Sequence, residues 1–322
     1  MDVFRGHPYG FDPTYGYGPA ELGRVGPPPG EPEDFAAFWS ELYARARAVP
    51  VTAVRSRLPR RSRRHAVHTY TVKYTSTDGV RIGGWLTLPA DGRVERGIVL
   101  SHGYGGRSGP EVEPLVPRAA VIQPVARGLG SRSLLPGVPA DPQGHVLYGI
   151  ASRETYIHGG CAADVWCAAT ALTALVPDAA ARIDYVGSSF GGGIGALALP
   201  WDERFTSAHL DVPSFGHHPL RVGLECVGSG AAVRERYLRH PEVLDVLAYF
   251  DAATAATHLR IPVQVAAALF DPAVPPPGQF SVHNSLAGPR RLHVMASGHF
   301  DHPGAPALAA AERAACAAFL TA

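Results

Sequence analysis

A glycine-rich run at residues 184–195, DYVGSSFGGGIG, contains two adjacent serines, and a serine hydroxyl in such a run can serve as a nucleophile. A nucleophile on a sharp turn between a strand and a helix requires small residues two positions before it and two positions after it. Gly187 and Gly191 meet this requirement around Ser189, whereas a turn centred on Ser188 would place valine and phenylalanine at the glycine positions. The spacing therefore predicts Ser189 as the nucleophile.

The same run has two other interpretations. Gly191, Gly193 and Ala196 match the G-x-G-x-x-A pattern of a dinucleotide-binding loop, and Asp211 follows at the distance of a ribose-binding acid. That match is weak because its first glycine comes four residues after the predicted strand and far from the first strand of the chain. The third interpretation is a glycine-rich turn without chemistry. The presence of catalytic partners for Ser189 decides among the three.

Such partners follow later strands, in the order that a serine hydrolase of the α/β type requires. A serine nucleophile needs a base, and the base needs an orienting carboxylate, in the chain order Ser, Asp or Glu, His. Asp271 follows the apolar run VQVAAALF, and His299 follows RLHVM, so both are expected at the carboxyl ends of strands. Asp251 and His302 are the alternative acid and base, although the helical pattern around Asp251 favours a structural or capping role.

Two backbone amides near Ser189 are expected to form an oxyanion hole. The run GIVLSHGYGG places Tyr104 in a loop after an early strand, and Phe190 directly follows the predicted nucleophile. The amides of Tyr104 and Phe190 would donate the two hydrogen bonds that stabilise a tetrahedral oxyanion. His102 in the same loop is interpreted as structural.

The histidines and cysteines do not predict a metal site. His299 and His302 form an H-x-x-H pair, but the sequence offers no third ligand nearby. His217 and His218 are interpreted as a loop pair. The four cysteines form no C-x-x-C pair and are too scattered for a disulfide framework, which indicates core or free thiols in a reducing compartment.

The elements that must position these residues alternate along the chain. Short apolar runs predict strands at GIVLS, AAVIQPVA, ARIDYVG, SAHLDVP, IPVQVAAALF and RRLHVM, separated by alanine-rich helical segments. This alternation predicts a mostly parallel sheet with helices on both faces. An antiparallel hairpin is expected earlier, at VHTYTVKYT and VRIGGWLTLP, and apolar residues at helical spacing from Phe35 to Ala46 predict a helix before it.

We expect one α/β-hydrolase domain over residues 1–322. Residues 1–50 are expected to form an N-terminal arm and its helix, and residues from about 214 to 258 a helical insertion that lies over the strand ends as a small lid. The net charge of +1 indicates no nucleic-acid partner and no membrane surface, and no apolar stretch reaches membrane-spanning length. No signal-peptide pattern is visible at the N-terminus.

Together these residues resemble the acetyl xylan esterase / cephalosporin-C deacetylase family of carbohydrate esterases over nearly the whole chain. HGYGG is similar to the family's oxyanion loop, GSSFGGG to its nucleophile elbow, and the run from LAYFDAATAATHLRIP to RRLHVMASGH to its C-terminal half. The resemblance implies a nucleophile, an acid, a base and an oxyanion donor at Ser189, Asp271, His299 and Tyr104. It also implies a cytoplasmic enzyme without a cofactor that forms a homo-oligomer, often a hexamer, which would give the aromatic N-terminal arm a surface to pack on.

The chain departs from the family at positions near the expected site. Phe190 and Leu129 stand where the family has glutamine, Phe300 where it has glutamate, and Ala126 where it has aspartate. The candidate residues of the substrate pocket are Arg127, Leu129, Pro213, Phe215 and Phe300. We expect a pocket more apolar than the family's and a hydrophobic acylated metabolite as substrate, unless these side chains simply repack in the core.

The sequence supports a serine esterase that removes a short acyl group, with acetyl expected, from a small-molecule or sugar-like ester. The first alternative is a natural-product tailoring hydrolase or acyltransferase that acts on a more hydrophobic substrate. The second alternative is a catalytically silent binding protein that keeps the triad by descent.

Overall fold

The computed structural model describes residues 6–58 and 66–322, which contain a nine-stranded sheet. The strands are β1 (Val54–Arg57), β2 (Val67–Thr75), β3 (Arg81–Pro89), β4 (Arg96–Leu100), β5 (Ala119–Pro124), β6 (Ile183–Ser188), β7 (Phe205–Asp211), β8 (Val263–Ala268) and β9 (Arg290–Met295). β2 to β9 coincide with the strands expected from the sequence. β1 was not expected, because all of its residues are exposed and they show no apolar pattern.

The strand order is β1-β2-β3-β5-β4-β6-β7-β8-β9, which joins an antiparallel edge to a parallel centre. The first three strands pair antiparallel, as does β3 with β5, and every pair from β5 to β9 is parallel. The mostly parallel α/β class predicted from the sequence is confirmed. Parallel strands end at one edge of a sheet, so the loops that follow β4, β6, β8 and β9 meet there.

Helices surround this sheet. They are α1 (Pro19–Leu22), α2 (Phe35–Ala48), α3 (Pro142–Leu147), α4 (Ile157–Leu175), α5 (Phe190–Ala198), α6 (His218–Arg221), α7 (Ser229–Arg239), α8 (Val243–Leu247), α9 (Ala252–Ala256), α10 (Pro276–Ser285) and α11 (Ala305–Thr321). The helix expected from Phe35 is α2, which buries Phe35, Trp39, Leu42 and Ala46 on one face. In the described ranges, no helix has both the length and the apolar character needed to cross a bilayer.

The N-terminal arm packs against its own chain beside the carboxyl ends of the strands; its first five residues lie outside the described ones. The carbonyl oxygen of Pro13 accepts a hydrogen bond of 3.1 Å from the backbone amide of Asp271. The Tyr15 hydroxyl donates to the carbonyl oxygen of Glu225 at 2.7 Å. Because the arm has a surface within its own chain, its apolar character gives no separate support for an oligomer, which stays a prediction.

Residues 214–258 contain the short helices α6 to α9, and α9 is fully buried. Asp251 begins α9: its buried carboxylate accepts hydrogen bonds from the amides of Ala253 at 2.9 Å and Thr254 at 3.0 Å. It also accepts one from the amide of His218 at 2.6 Å. The capping role expected for Asp251 is confirmed. That the remaining helices act as a lid stays a prediction.

A buried ion pair joins the loop after β5 to helix α4. The guanidinium of Arg127 donates to both carboxylate oxygens of Asp164, at 2.7 and 3.0 Å. It also donates to the hydroxyls of Ser76 at 3.1 Å and Thr77 at 3.0 Å. Bidentate pairs of this kind are strong and fix geometry, so Arg127 connects the sheet edge to α4 from inside the protein.

Replacing Asp164 with asparagine should destabilise the protein strongly, because the Arg127 cation would stay buried without a counter-charge. We expect a loss of about 3–5 kcal/mol in the free energy of unfolding, measured by urea denaturation. The control is Glu95→Gln, which removes the acid of the exposed pair with Arg118 and should cost less than about 1 kcal/mol. Equal costs for the two variants would contradict the structural role of the buried pair.

Candidate functional site

Ser189 lies on a strained turn between β6 and α5, with backbone angles of φ 54° and ψ −115°. A Cβ on Gly187 would lie 2.5 Å from the carbonyl oxygen of Gly191, and a Cβ on Gly191 would lie 2.8 Å from the carbonyl oxygen of His102. Side chains do not fit at such distances. Glycine is therefore required on both sides of Ser189, as the sequence predicted.

Ser188 points to a different partner. Its hydroxyl donates to the carboxylate of the half-buried Asp211 at 2.6 Å. The dinucleotide interpretation is wrong for this run. Gly193 lies inside helix α5, where a Cβ would meet the carbonyl oxygen of Ser214 and the ring of Phe215, both at 2.4 Å, so no open glycine loop faces a ligand.

A chain of two hydrogen bonds connects the three residues predicted to be catalytic. His299 Nε2 lies 2.9 Å from Ser189 Oγ. On the other side of the ring, His299 Nδ1 lies 2.8 Å from Asp271 Oδ2. The loops after β6, β8 and β9 bring these side chains together from positions up to 110 residues apart in sequence. With Asp271 accepting from Nδ1, the free lone pair of Nε2 faces the serine hydroxyl, which is the geometry for taking its proton.

Asp271 is fully buried and receives hydrogen bonds from several donors. Its Oδ1 accepts from the amides of Ala273 and Val274, each at 2.9 Å. Its Oδ2 accepts from Gln279 Nε2 at 2.9 Å, in addition to His299. Sequence reasoning missed Gln279, because a buried amide on helix α10 belongs to no motif. The only available signal was its position in the first turns of the helix that follows the predicted acid.

The carboxylate of Asp271 changes the protonation of His299. Burial lowers the pKa of His299, but the charge of Asp271 and its hydrogen bond to the ring outweigh burial, so the pKa lies above its ordinary value. A raised pKa makes the His299 ring a stronger base. It also stabilises the protonated ring that forms when the serine gives up its proton.

The two amides expected for the oxyanion hole have no acceptor within the described chain. The Tyr104 amide makes no backbone hydrogen bond, and the Phe190 amide is the first of helix α5, where no carbonyl of the helix can reach it. The loop of Tyr104 approaches the nucleophile closely, since a Cβ on Gly103 would lie 3.8 Å from Ser189 Oγ. Both amides therefore remain available to an oxyanion beside Ser189.

Several candidate pocket side chains belong to the core. Phe190 is 2% exposed, and its ring lies 4.4 Å from that of Tyr104. Leu129 is also 2% exposed, and the Arg127 guanidinium is occupied by Asp164. For Phe190 and Leu129 the departures from the family are therefore accommodated by packing inside the protein. The expectation that these two side chains form an apolar pocket wall has no support from their placement.

The remaining candidates lie around the strand ends. Pro213 is buried against the first turn of α5, and Phe215 is 1% exposed. Phe300 is half-buried beside His299, with its ring 5.1 Å from that of Phe270 and 6.2 Å from that of Tyr9 in the arm. Phe300 is therefore the departure from the family that contributes to an aromatic surface near the predicted base.

The alternative base has a different partner. His302 Nε2 lies 2.8 Å from the Ser297 hydroxyl.

Among the described residues, His209, Glu312 and Cys316 are the one group of side chains close enough to share a metal ion. Burial lowers the pKa of His209, but hydrogen bonds to Cys316 and Glu312 outweigh it and raise the pKa to about 10. A protonated His209 paired with Glu312 at 2.6 Å accounts for this group without a metal.

Comparisons with known proteins point to one family. The family model described as acetyl xylan esterase (AXE1) matches residues 21–319, which confirms the resemblance seen in the sequence. The structure of an acetyl xylan esterase from Paenibacillus sp. R4 is 23% identical, with a TM-score of 0.77, over 93% of this chain and 99% of that one. Acetyl xylan esterase 1 from Thermoanaerobacterium sp. JW/SL YS485 is 20% identical, with a TM-score of 0.79, over 95% and 99%. A comparison with curated proteins found no match.

Replacing Gly191 with alanine should damage the oxyanion loop, because the new Cβ would press on the carbonyl oxygen of His102. We expect kcat for an acetyl ester to fall by about 10²-fold or more, the cost of a misplaced oxyanion donor. Gly105→Ala is the matched control in the same loop, since a Cβ there meets nothing within 4 Å. Steady-state kinetics compares the two variants, and similar activity in both would contradict the close approach at Gly191.

Proposed function

Because this chain belongs to the acetyl xylan esterase family, it is a carboxylic ester hydrolase, and we propose that it removes acetyl groups from a small-molecule ester through Ser189. The observation that carries the proposal is the hydrogen-bonded chain from Asp271 through His299 to Ser189. The amides of Tyr104 and Phe190, which have no acceptor in the part of the chain that the structure describes, support the same reaction.

The reaction proceeds through an acetylated serine. His299 Nε2 takes the hydroxyl proton as Ser189 Oγ bonds to the ester carbonyl carbon, and the carbonyl oxygen becomes an oxyanion held by the two amides. The C–O bond to the alcohol then breaks as His299 returns the proton to the leaving oxygen. Water, deprotonated by His299, attacks the acetyl-serine in the second half, and acetate leaves with Ser189 restored.

The family indicates which acyl group the substrate carries, and the side chains near the triad indicate which kind of alcohol it carries. Two structural relatives that align over 99% of their own length are named acetyl xylan esterases, which supports acetyl transfer to water here. The half-buried rings of Phe300 and Tyr9, with centres 6.2 Å apart, form an aromatic pair next to the predicted base, which favours a more hydrophobic alcohol than a xylan chain. Higher kcat/KM for naphthyl acetate than for acetylated xylo-oligosaccharide, each divided by its uncatalysed rate, supports the hydrophobic candidate, and the reverse supports the sugar.

Replacing Ser189 with alanine should lower kcat by roughly 10⁴-fold or more without unfolding the protein, as in other triads. The control is Ser188→Ala, which removes only the hydrogen bond to Asp211 and should leave most of the turnover. Hydrolysis of naphthyl acetate measures both variants. An inactive Ser188→Ala beside an active Ser189→Ala would show that the nucleophile has been misassigned.

Activity should depend on pH through His299, which must be neutral to accept the serine proton. Since its pKa is raised, kcat/KM should fall on the acid side with a midpoint above about 6.5, the ordinary value for histidine. Asp271→Asn removes the cause of that increase and leaves burial, so the midpoint should move to lower pH while kcat falls by about 10⁴-fold. A wild-type rate in Asp271→Asn, with an unchanged profile, would rule out this pairing.

A further inference from the structure

Arg221, on helix α6, is a buried cation without a hydrogen-bond or carboxylate partner among the described residues. The residue is 4% exposed, and its Nε and Nη1 atoms are buried without any hydrogen bond. No carboxylate of the described residues forms an ion pair with it, in contrast to Arg127 and its pair with Asp164. Burying a charge without a counter-charge is costly, so such groups are normally paired, or they bind an ion from outside the chain.

The end of a helix adds a second positive potential at the same place. Helix α7, Ser229–Arg239, begins beside Arg221: a Cβ on Gly230 would lie 2.8 Å from Arg221 Nη2. The first turn of α7 has no acidic residue and no side-chain cap, so its amides carry a partial positive charge that nothing in the described chain satisfies. A cation at the positive end of a helix is unfavourable, and a bound anion within reach of both would offset the two positive potentials.

The surroundings of Arg221 are aromatic and neutral. Its guanidinium lies 5.8 Å from the centre of the Phe215 ring, which His158 and His218 also contact. Burial lowers the pKa of His218 to about 3 and that of His158 well below its ordinary value, so neither ring is charged. The Nδ1 atoms of both rings and the hydroxyl of Tyr156 are also buried without a partner, which provides further polar atoms for a ligand.

This cluster adjoins the loops that carry the catalytic residues. The Val227 amide, just before α7, donates to the carbonyl oxygen of Pro272 at 2.8 Å, next to Asp271. The Ser214 amide, just before Phe215, donates to the carbonyl oxygen of Ser189 at 3.1 Å. The segments on both sides of Arg221 are therefore hydrogen-bonded to the loops of Ser189 and Asp271.

We propose that Arg221 and the first turn of α7 form an anion subsite that binds a carboxylate on the ester substrate. This inference rests on the proposed esterase function and refines its substrate class. Guanidinium and carboxylate match in bidentate geometry, and a helix N-terminus favours the same charge. The substrate would combine an aromatic or apolar body, which contacts the surface of Phe300, with one carboxylate.

Because the proposed acyl group is acetyl, which has no carboxylate, the anionic group belongs to the alcohol half of the ester. The test compares 4-acetoxybenzoate with phenyl acetate. We expect the carboxylate to raise kcat/KM by at least 10-fold, after correction for the uncatalysed rates.

Variants of Arg221 test whether that preference depends on its charge. Arg221→Gln should abolish the preference while leaving kcat/KM for the neutral ester within about 2-fold, and Arg221→Lys should keep part of it. The control is Arg239→Gln on α7, where an exposed arginine lies 3.7 Å from Glu235. Removing an uncompensated buried charge should also leave the melting temperature unchanged or raise it, whereas loss of a structural arginine would lower it.

Two outcomes would overturn the inference and leave the esterase function intact: no preference for 4-acetoxybenzoate over phenyl acetate, or equal losses for these two esters in Arg221→Gln. If Ser189-dependent hydrolysis is absent for every ester, the proposed function fails, and binding still tests the subsite. Calorimetry then measures 4-acetoxybenzoate with Ser189→Ala alone and combined with Arg221→Gln. Equal affinity, or no binding, rejects the subsite, and a loss of at least 10-fold in the double variant supports it.

Discussion

The contact between the turn at Ser189 and the loop after β4 is the constraint on which the site depends. A strained backbone of this kind costs about 1–3 kcal/mol and persists only where the surroundings fix it. Here the Ser189 amide donates to the carbonyl oxygen of Asp211 at 2.8 Å, and its own carbonyl oxygen accepts from Gly193 and Ser214. Glycine at position 187 lets the turn close on itself, and glycine at position 191 lets the loop of His102 approach it. That approach places the nucleophile beside the loop that carries the Tyr104 amide.

The other catalytic groups are held by separate parts of the chain that meet at one edge of the sheet. Gln279 on α10 and Pro13 in the arm both bond to Asp271, so the orienting acid is fixed by a helix that follows it and by the N-terminal segment. The carboxylate of Asp271 accepts hydrogen bonds from His299, Gln279 and two backbone amides. The guanidinium of Arg221, by contrast, has no hydrogen-bond or carboxylate partner among the described residues, and this asymmetry points to an anionic group on the substrate.

Much of this arrangement could be predicted from sequence, because it follows from local patterns. Eight strands have apolar runs. The glycines around Ser189 indicate a sharp turn that leaves no room for larger side chains at positions 187 and 191. What could not be predicted depends on packing between distant segments. β1 lacks an apolar pattern, Gln279 belongs to no motif, and the burial of Phe190 in the core depends on its contacts with Tyr104 and Phe215.

The central claim is that His299 activates Ser189 as the nucleophile of an esterase. Labelling with a fluorophosphonate, followed by mass mapping of the modified peptide, tests this claim most directly, because the reagent bonds to an activated serine hydroxyl. The account predicts one adduct, on Ser189, that forms more slowly as the pH falls and His299 becomes protonated. An adduct on Ser188 or on another serine, or labelling of Ser189 at a rate that does not change with pH, would contradict it.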